Sequence, residues 1–260
     1  MFLLVTTLFA RAEPTPLPRA HAHNDYEHAR PLFEALDNGF GSVEADVHLV
    51  DGRLLVAHDR KAVNPARTLE ALYLDPLRAR VVQNGGRVYR GGPTIILLID
   101  VKSEAAPTFA ALDAVLRNYA EMLTVFREDR VSVGAITVII SGNRARGAMA
   151  AQSVRFAAMD GRIDDLAADQ ATGGLIPLVS DNWEKVFGWK WTGPIAEADV
   201  VKLAARVKQA HAQGRMIRFW NTPDTPEAWA VLSEAGVDLI NTDHLAELRG
   251  FFEVGAGAKE

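Results

Sequence analysis

The stretch that decides the fold is residues 42–59, SVEADVHLVDGRLLVAHD. Apolar and polar residues alternate over residues 43–49, which is the period of two that an extended strand requires. This alternation places Glu44 and Asp46 side by side on one face of the strand. Two carboxylates held together on a buried strand repel each other and lose solvation, and this favours a shared proton or a bound cation. The pattern therefore indicates a metal-binding strand.

The same stretch predicts a β-hairpin. Asp51 and Gly52 are turn residues, and the apolar residues after them form a return strand that delivers His58 beside the carboxylate pair. A histidine next to such a pair adds an acid–base group to the cation site. The alternative is an edge hairpin whose carboxylates are solvated and carry no chemistry.

Strand-like segments recur along the whole chain, each followed by a helix or by a gap of helical length. Eight of them lie near Ala20, Val43, Ile96, Ile139, Phe156, Pro177, Ile217 and Leu239. Strict alternation of strands and helices implies parallel strands, and eight strands imply a closed barrel. We therefore expect an α/β protein with one (β/α)8 TIM-barrel domain over residues 13–260.

Polar residues cluster where these segments end. In a barrel of this type the active site forms at the carboxyl ends of the strands, whereas ordinary surface charge would lie at both ends. The residues at these positions are His23, Asn24, Glu44, Asp46, Asp100, Lys102, Ser141, Asn143, Asp160, Asp181, Trp220, Asn221 and Asp243. We expect them to meet at one rim of the barrel.

Composition and the first residues limit the partners and the location. The formal net charge of −5 argues against nucleic acid as a partner, because such proteins need a basic face. Residues 2–10 are apolar but too short to span a bilayer, and residues 10–12 form a small-x-small site. These features predict an export signal over residues 1–12 and a secreted or periplasmic monomer. A short buried strand ahead of the proline-rich residues 14–18 is the alternative.

The motifs at these strand ends resemble those of the phosphatidylinositol-phospholipase-C-like phosphodiesterase superfamily. This superfamily includes glycerophosphodiester phosphodiesterases, sphingomyelinase D and the barrel of animal phospholipase C. The similar segments are AHNDY at 22–26, EAD at 44–46, HD at 58–59, IDVK at 99–102, FWN at 219–221 and NTD at 241–243. The pattern HAHNDY…VEADV…HD also resembles a fungal mitochondrial-inheritance group. The His-Arg-Gly and Glu-Asn-Thr motifs of glycerophosphodiesterases are absent, so the resemblance implies the superfamily rather than one substrate.

The resemblance implies a PLC-like phosphodiesterase barrel that hydrolyses a phosphoric diester with one divalent cation, Mg²⁺ or Ca²⁺. The substrate would be a glycerophosphodiester, another small phosphodiester or a phospholipid head group, and the reaction could pass through a cyclic phosphate. Carboxylates and amide oxygens suit these hard cations, and histidine suits proton transfer near neutral pH. The expected metal ligands are Glu44, Asp46, Asp100 and Asn24. The expected catalytic residues are His23, His58 and Lys102, with His21 as the substitute for His23. Lys102, Trp220 and Asn221 would contact the substrate.

Several alternatives stay open at this point. A first-strand His21-Ala22-His23 also fits a metal-dependent amidohydrolase, although no histidine lies between His58 and His211 to supply its later ligands. A barrel that binds a phosphorylated ligand without turnover is a second alternative. The aromatic residues Trp183, Phe187, Trp189 and Trp191 form either an apolar rim for peripheral lipid contact or the packing of a short helix. Asp243 needs no role beyond capping the last helix.

Overall fold

Eight parallel strands form a nearly closed barrel in the computed structural model, which describes residues 13–128, 130–167 and 174–257. The strands are β1 (Leu17–Ala22), β2 (Phe40–Val50), β3 (Ile95–Val101), β4 (Ile136–Gly142), β5 (Ala158–Gly161), β6 (Leu178–Asn182), β7 (Met216–Trp220) and β8 (Ile240–Thr242). Their spatial order runs from β7 down to β1 and then to β8. A single parallel bridge between Arg218 and Leu239 joins β7 to β8. The predicted (β/α)8 barrel is confirmed, while the predicted export signal lies outside the described residues.

Helices follow most of the strands. They are α1 (Phe33–Asp37), α2 (Asp75–Gln83), α3 (Ala105–Leu116), α4 (Arg146–Ala150), α5 (Trp183–Val186), α6 (Glu197–Ala212), α7 (Pro226–Glu234) and α8 (Leu245–Gly257). Between β5 and β6 the described residues contain only the 3-10 turn Ile163–Leu166. Within the described part of the chain, no helix combines the length and the apolarity that crossing a bilayer requires.

The fifth strand differs from the segment expected near Phe156. The barrel strand begins at Ala158, whereas Val154–Arg155 pairs antiparallel with Val125–Arg127 in a separate three-stranded sheet. Backbone groups just before β5 therefore bond outside the barrel. The segment divides between two sheets because its first two residues have an antiparallel partner within reach.

The predicted hairpin is present. The return strand Arg53–Val56 pairs antiparallel with β2, from Val47 opposite Val56 to Val50 opposite Arg53. Asp51 and Gly52 both have positive φ, 49° and 75°, as a two-residue turn of the I′ type requires. The hairpin extends the chain past the barrel rim and brings it back toward Asp46, whose carbonyl accepts a hydrogen bond from Ala57 N.

The interior of the barrel changes from apolar to charged along the strands. A small buried cluster fills its amino-terminal part: Ile96, Leu98, Ile139, Leu178 and Leu239. On β3 the same face that carries Ile96 and Leu98 continues with Asp100, because side chains of one face recur every second residue. A separate, larger apolar cluster contains buried residues of the helices together with the other face of the strands. The barrel is thus plugged at one end and polar at the other.

The loop between β1 and α1 is held by a buried carboxylate. Asp25 is fully buried, and its Oδ2 accepts hydrogen bonds from Leu32 N at 2.5 Å and from the Tyr73 hydroxyl at 2.8 Å. Its Oδ1 is buried without a partner among the described residues. Burial raises the pKa of Asp25 to about 6, although the two hydrogen bonds lower it.

Asp25→Asn is expected to increase the free energy of unfolding at pH 7.5 relative to the unmodified chain. The pKa of Asp25 is higher in the folded protein than its ordinary 3.8. The folded state therefore binds the proton more tightly, and stability falls as pH rises from about 4 to 6, by an amount on the order of 3 kcal/mol. The asparagine oxygen still accepts both hydrogen bonds. Urea unfolding at pH 4, 6 and 7.5 measures the difference.

The exposed variant Asp59→Asn serves as the control, since the side chain of Asp59 is 60% exposed. It should change stability little at any of these pH values. A difference between Asp25→Asn and the unmodified chain that does not vary with pH would contradict the assignment.

Candidate active site

Three carboxylates predicted to bind a metal meet at the carboxyl ends of β2 and β3. Asp46 lies opposite Asp100 in the parallel register of the two strands, and Glu44 lies two residues before Asp46. One oxygen of each lies within 4.8 Å of the others, and Glu44 and Asp46 are buried. We call Glu44, Asp46 and Asp100 the acid trio.

The acid trio fits a divalent cation. Asp46 Oδ1 and Asp100 Oδ1 are buried and have no hydrogen-bond partner among the described residues. An unpaired carboxylate oxygen in a low-dielectric interior is costly, and a hard cation is the partner that oxygen ligands suit. Burial and the nearby Glu44 raise the pKa of Asp46, although Lys102 and Tyr26 oppose this. Mutual repulsion of this kind is what a cation would relieve.

Asn24, the predicted fourth ligand, lies next to the trio but is engaged with a tyrosine. The Tyr26 hydroxyl lies 2.8 Å from Asn24 Oδ1 and 2.7 Å from Asp46 Oδ2. Burial and Asp46 raise the pKa of Tyr26, so its hydroxyl stays protonated and acts as a donor. The metal role of Asn24 stays a prediction.

His21 is buried beneath the trio and does not reach solvent. Its Nε2 lies 2.9 Å from Glu44 Oε2 and its Nδ1 lies 2.7 Å from Ser42 Oγ. Burial and the neighbouring Arg218 lower the pKa of His21 to about 4, so the ring is neutral at physiological pH. A neutral ring with its proton on Nε2 donates to Glu44 and accepts from Ser42. His21 thus bonds Glu44 from inside the barrel, and its role as the substitute for His23 stays a prediction.

Arg218 is a site residue that the sequence interpretation missed. Its Nη2 donates to Glu44 Oε2 at 2.9 Å, and its Nε donates to Asn241 Oδ1 at 2.7 Å. Burial alone would raise the pKa of Glu44, but Arg218 and His21 outweigh it and hold this pKa well below the ordinary value. The available signal was an arginine in the middle of the apolar strand RMIRFWN, where period two places it on the inward face.

His23 forms a carboxylate-backed pair with Asp243. Its Nδ1 lies 2.9 Å from Asp243 Oδ1 and 2.9 Å from Asn24 Nδ2, and its side chain is 35% exposed. Burial lowers the pKa of His23, but the hydrogen bond to Asp243 and the nearby Glu44 raise it overall. Asp243 therefore lies at the rim as predicted and has a partner in the site, beyond the role of a helix cap that the sequence left open. At the start of α8 it is Thr242 Oγ1 that accepts from His244 N.

His58 forms the second carboxylate-backed pair. Its Nδ1 lies 3.0 Å from Asp46 Oδ2 and 3.2 Å from the Tyr26 hydroxyl, and its side chain is 61% exposed. The hairpin that follows β2 therefore delivers His58 to the trio, as predicted. In both pairs the bond is made through Nδ1, which leaves Nε2 without a hydrogen bond to any described residue.

Lys102 lies across two members of the trio. Its Nζ is 2.9 Å from Asp100 Oδ2 and 3.1 Å from Asp46 Oδ2. Burial lowers the pKa of Lys102, but the two aspartates raise it overall, so the ammonium group stays charged. Lys102 and Arg218 together place two fixed positive charges against three carboxylates.

Trp220 and Asn221 lie at the end of β7, yet no hydrogen bond or ion pair between described residues joins them to the trio. Trp220 is partly exposed with Lys185 Nζ 6.0 Å from its ring centroid, and Asn221 Nδ2 donates to Asn182 Oδ1. Their contact with a substrate stays a prediction.

The aromatic residues after β6 pack against one another. Trp183 is fully buried, with its ring centroid 4.1 Å from that of Phe187 and 4.5 Å from that of Trp191. Phe187 is also buried. These contacts support the packing alternative for this group over an apolar rim for lipid.

Gly142→Ala is expected to weaken metal binding because the glycine makes room for Asp100. Gly142 has φ +66°, and a Cβ added there would overlap Asp100 Oδ1. Mg²⁺ or Ca²⁺ that binds the folded state should raise the thermal midpoint of the unmodified chain measured against EDTA. The variant should lose most of that increase.

Gly85→Ala provides a matched control, since Gly85 has φ +72° and open space around an added Cβ. Both variants incur backbone strain of about 1 kcal/mol. Only Gly142→Ala should lose the metal-induced increase, and an equal increase in both variants would refute the role of Gly142.

Comparisons with known proteins identify the family of this chain. The AIM6-like phosphodiesterase domain model matches residues 10–159, and a model of the glycerophosphoryl diester phosphodiesterase family matches residues 216–246. The altered inheritance of mitochondria protein 6 homolog of Arthroderma benhamiae is 28% identical over 91% of this chain and 84% of its own length. The altered inheritance of mitochondria protein 6 of Lachancea thermotolerans is 30% identical over 89% of this chain and 65% of its own.

A solved structure has the same fold. The glycerophosphodiester phosphodiesterase from Agrobacterium tumefaciens superposes with a TM-score of 0.56 at 14% identity, covering 90% of this chain and 99% of that one. The first domain model covers more than half of the chain, including the acid trio and both carboxylate-backed histidines. The chain therefore belongs to the AIM6-like phosphodiesterase domain family, within the PLC-like phosphodiesterase superfamily.

Proposed function

We propose that this chain is a metal-dependent phosphoric diester hydrolase that acts at the carboxyl end of its barrel. The substrate would be a small phosphodiester or a phospholipid head group. The observation that carries the proposal is the pair of histidines beside the acid trio, each bonded through Nδ1 to a carboxylate: His23 to Asp243 and His58 to Asp46. Paired acid–base groups at a cation site are what cleavage of a phosphodiester requires.

The charges of the site suit a phosphate whose negative charge grows as the fifth bond to phosphorus forms. A divalent cation bound by Glu44, Asp46 and Asp100 would supply positive charge and lower the pKa of a coordinated hydroxyl. Lys102 retains one ammonium hydrogen beyond the two directed at Asp46 and Asp100, and that hydrogen is available to a non-bridging oxygen.

The two histidines divide the proton transfers. In each ring the carboxylate fixes the proton on Nδ1, so Nε2 is the atom that exchanges protons with the substrate. Asp243 raises the pKa of His23, so His23 protonates the leaving oxygen. His58 accepts the proton of the attacking hydroxyl, which belongs either to water or to the substrate itself. Attack by a substrate hydroxyl would give a cyclic phosphate.

The two rival interpretations gain less from the structure. An amidohydrolase would use His21 and His23 as metal ligands, but His21 bonds to Ser42 and Glu44, and His23 bonds to Asp243. A binding protein without turnover has no use for two carboxylate-backed imidazoles with free Nε2 atoms. Export over residues 1–12, the secreted or periplasmic location and the monomeric state stay predictions.

A hydrolysis screen tests the proposal. Bis-p-nitrophenyl phosphate, glycerophosphocholine, lysophosphatidylcholine and phosphatidylinositol are each assayed with Mg²⁺, Ca²⁺ or EDTA. Turnover should require a cation, and His58→Ala and His23→Ala should each lower kcat by roughly 10²–10⁴-fold, the contribution of a general acid or base. Phosphorus NMR of the products distinguishes a cyclic phosphate from a linear one.

His211→Ala is the matched control, because His211 also bonds a carboxylate, Asp238 at 2.9 Å, but lies at the end of α6 just ahead of β7, and thus at the amino-terminal end of the barrel. Its kcat should equal that of the unmodified chain. Turnover that persists in EDTA or survives His58→Ala would overturn the mechanism. Phosphodiester binding without turnover would leave the binding protein as the function.

A further inference from the structure

A second polar cluster lies inside the barrel beside the acid trio, and the mechanism does not use it. Its centre is Asp160 on β5, which is fully buried. Asp160 Oδ2 accepts hydrogen bonds from Ser141 Oγ at 2.8 Å, Ser180 Oγ at 2.5 Å and Arg162 Nη1 at 2.8 Å. The carboxylate is thus fixed from both neighbouring strands and from the loop above them.

Strand register connects this cluster to the trio. Asp46 lies opposite Asp100, and Asp100 lies opposite Ser141 in the next strand. Ser141 then bonds Asp160 on the strand after that. Neighbouring strands are about 4.8 Å apart, so the backbones of β3 and β5 are separated by roughly 10 Å.

Two arginines meet at Asp160. Arg162 Nη1 bonds its carboxylate and the Gly161 carbonyl, and Arg144 Nη1 bonds the Asp160 carbonyl. Neither guanidinium forms another hydrogen bond within the described residues, and neither has a buried unpaired nitrogen. The remaining donors are therefore open to solvent, and the side chain of Arg162 is 28% exposed.

Two guanidinium groups share the carboxylate of Asp160 in this cluster. Arg162 bonds that carboxylate directly, while the nearby Arg146 pairs with Asp165 at 2.5 Å. The proximity of Arg162, after burial itself, lowers the pKa of Arg144. Guanidinium donors held in a fixed orientation by such bonds are what an anionic oxygen group recognises.

We propose that Arg162, with Arg144 behind it, is an anion subsite that binds a second negatively charged group of the substrate, two strands along the barrel from Asp100. The group is a phosphate or a carboxylate carried by one of the two alcohols of the diester. The inference rests on the proposed function, because only a substrate held at the acid trio can reach both sites. Asp160 acts as a positioning residue, because its carboxylate bonds the Arg162 guanidinium and holds it in place.

A binding experiment tests the subsite without turnover. Inorganic phosphate is titrated into the full chain in EDTA by calorimetry, where the metal-free trio repels anions and does not contribute. Arg162→Gln should weaken the apparent affinity for phosphate at least fivefold. Arg162→Lys keeps the charge but loses the paired N–H donors of the guanidinium, so its affinity should lie between those of Arg162→Gln and the unmodified chain. Arg117→Gln makes the same change in net charge on the exposed end of α3, where Arg117 pairs with Asp113, and should have no effect.

A kinetic experiment tests specificity. Glycerophosphoglycerol is compared with the same diester carrying a terminal phosphate or a terminal carboxylate. In the unmodified chain the added charge should lower KM by about tenfold or more, the range of a charge-assisted hydrogen bond. Arg162→Gln should abolish that preference, so that charged and uncharged diesters give the same KM, whereas Arg117→Gln should retain it. The phosphate and carboxylate forms show which group the subsite prefers.

The outcomes separate the two proposals. Absence of turnover for every diester, with phosphate binding that depends on Arg162, would overturn the proposed function and retain the anion site. Turnover with no preference for charged diesters, or phosphate binding equal in Arg162→Gln and the unmodified chain, would overturn the subsite alone. If Arg162→Gln unfolds at lower temperature than the unmodified chain, Arg144→Gln provides the same test without removing a bond to the Asp160 carboxylate.

Discussion

The repulsion among three carboxylates confined at one barrel rim is the constraint on which the rest of the site depends. At 4.8 Å such charges would destabilise a buried site strongly without compensation. Different groups provide this compensation for different carboxylates. Arg218 and His21 bond Glu44, while Lys102 bonds both Asp46 and Asp100. Each compensating group uses one oxygen of its carboxylate, and the remaining oxygens of Asp46 and Asp100 stay buried and unpaired.

Asp46 joins the parts of the site that must act together. Its Oδ2 accepts hydrogen bonds from Tyr26 and His58 and forms an ion pair with Lys102. Its Oδ1 has no hydrogen-bond partner among the described residues. One carboxylate therefore orients His58 and keeps one oxygen available for a cation. The fold allows this because a β-hairpin continues β2 past the rim and returns to Asp46.

Most of the fold and the members of the trio could be predicted from sequence, because both follow from local periodicity. The alternation around Glu44 and the apolar run before Asp100 each specify a strand and an inward face. The partners of these residues could not be predicted in the same way. Arg218 reaches Glu44, and Asp243 reaches His23, across more than 170 residues of chain, which depends on barrel closure rather than on any local pattern. The difference in burial between His21 and His23 likewise has no signal in the local sequence, where both lie on the same face of one strand.

The apolar cluster that fills the amino-terminal half of the barrel limits how a ligand can reach the site. Its members are Ile96, Leu98, Ile139, Leu178 and Leu239. Because packed side chains fill the amino-terminal half of the barrel, the described residues leave no passage from that end to the acid trio. Under the proposed function, reactant and products would therefore enter and leave at the carboxyl end. A head group embedded in a bilayer would therefore be reached only when this end of the protein faces the lipid surface, so orientation at the membrane would gate access.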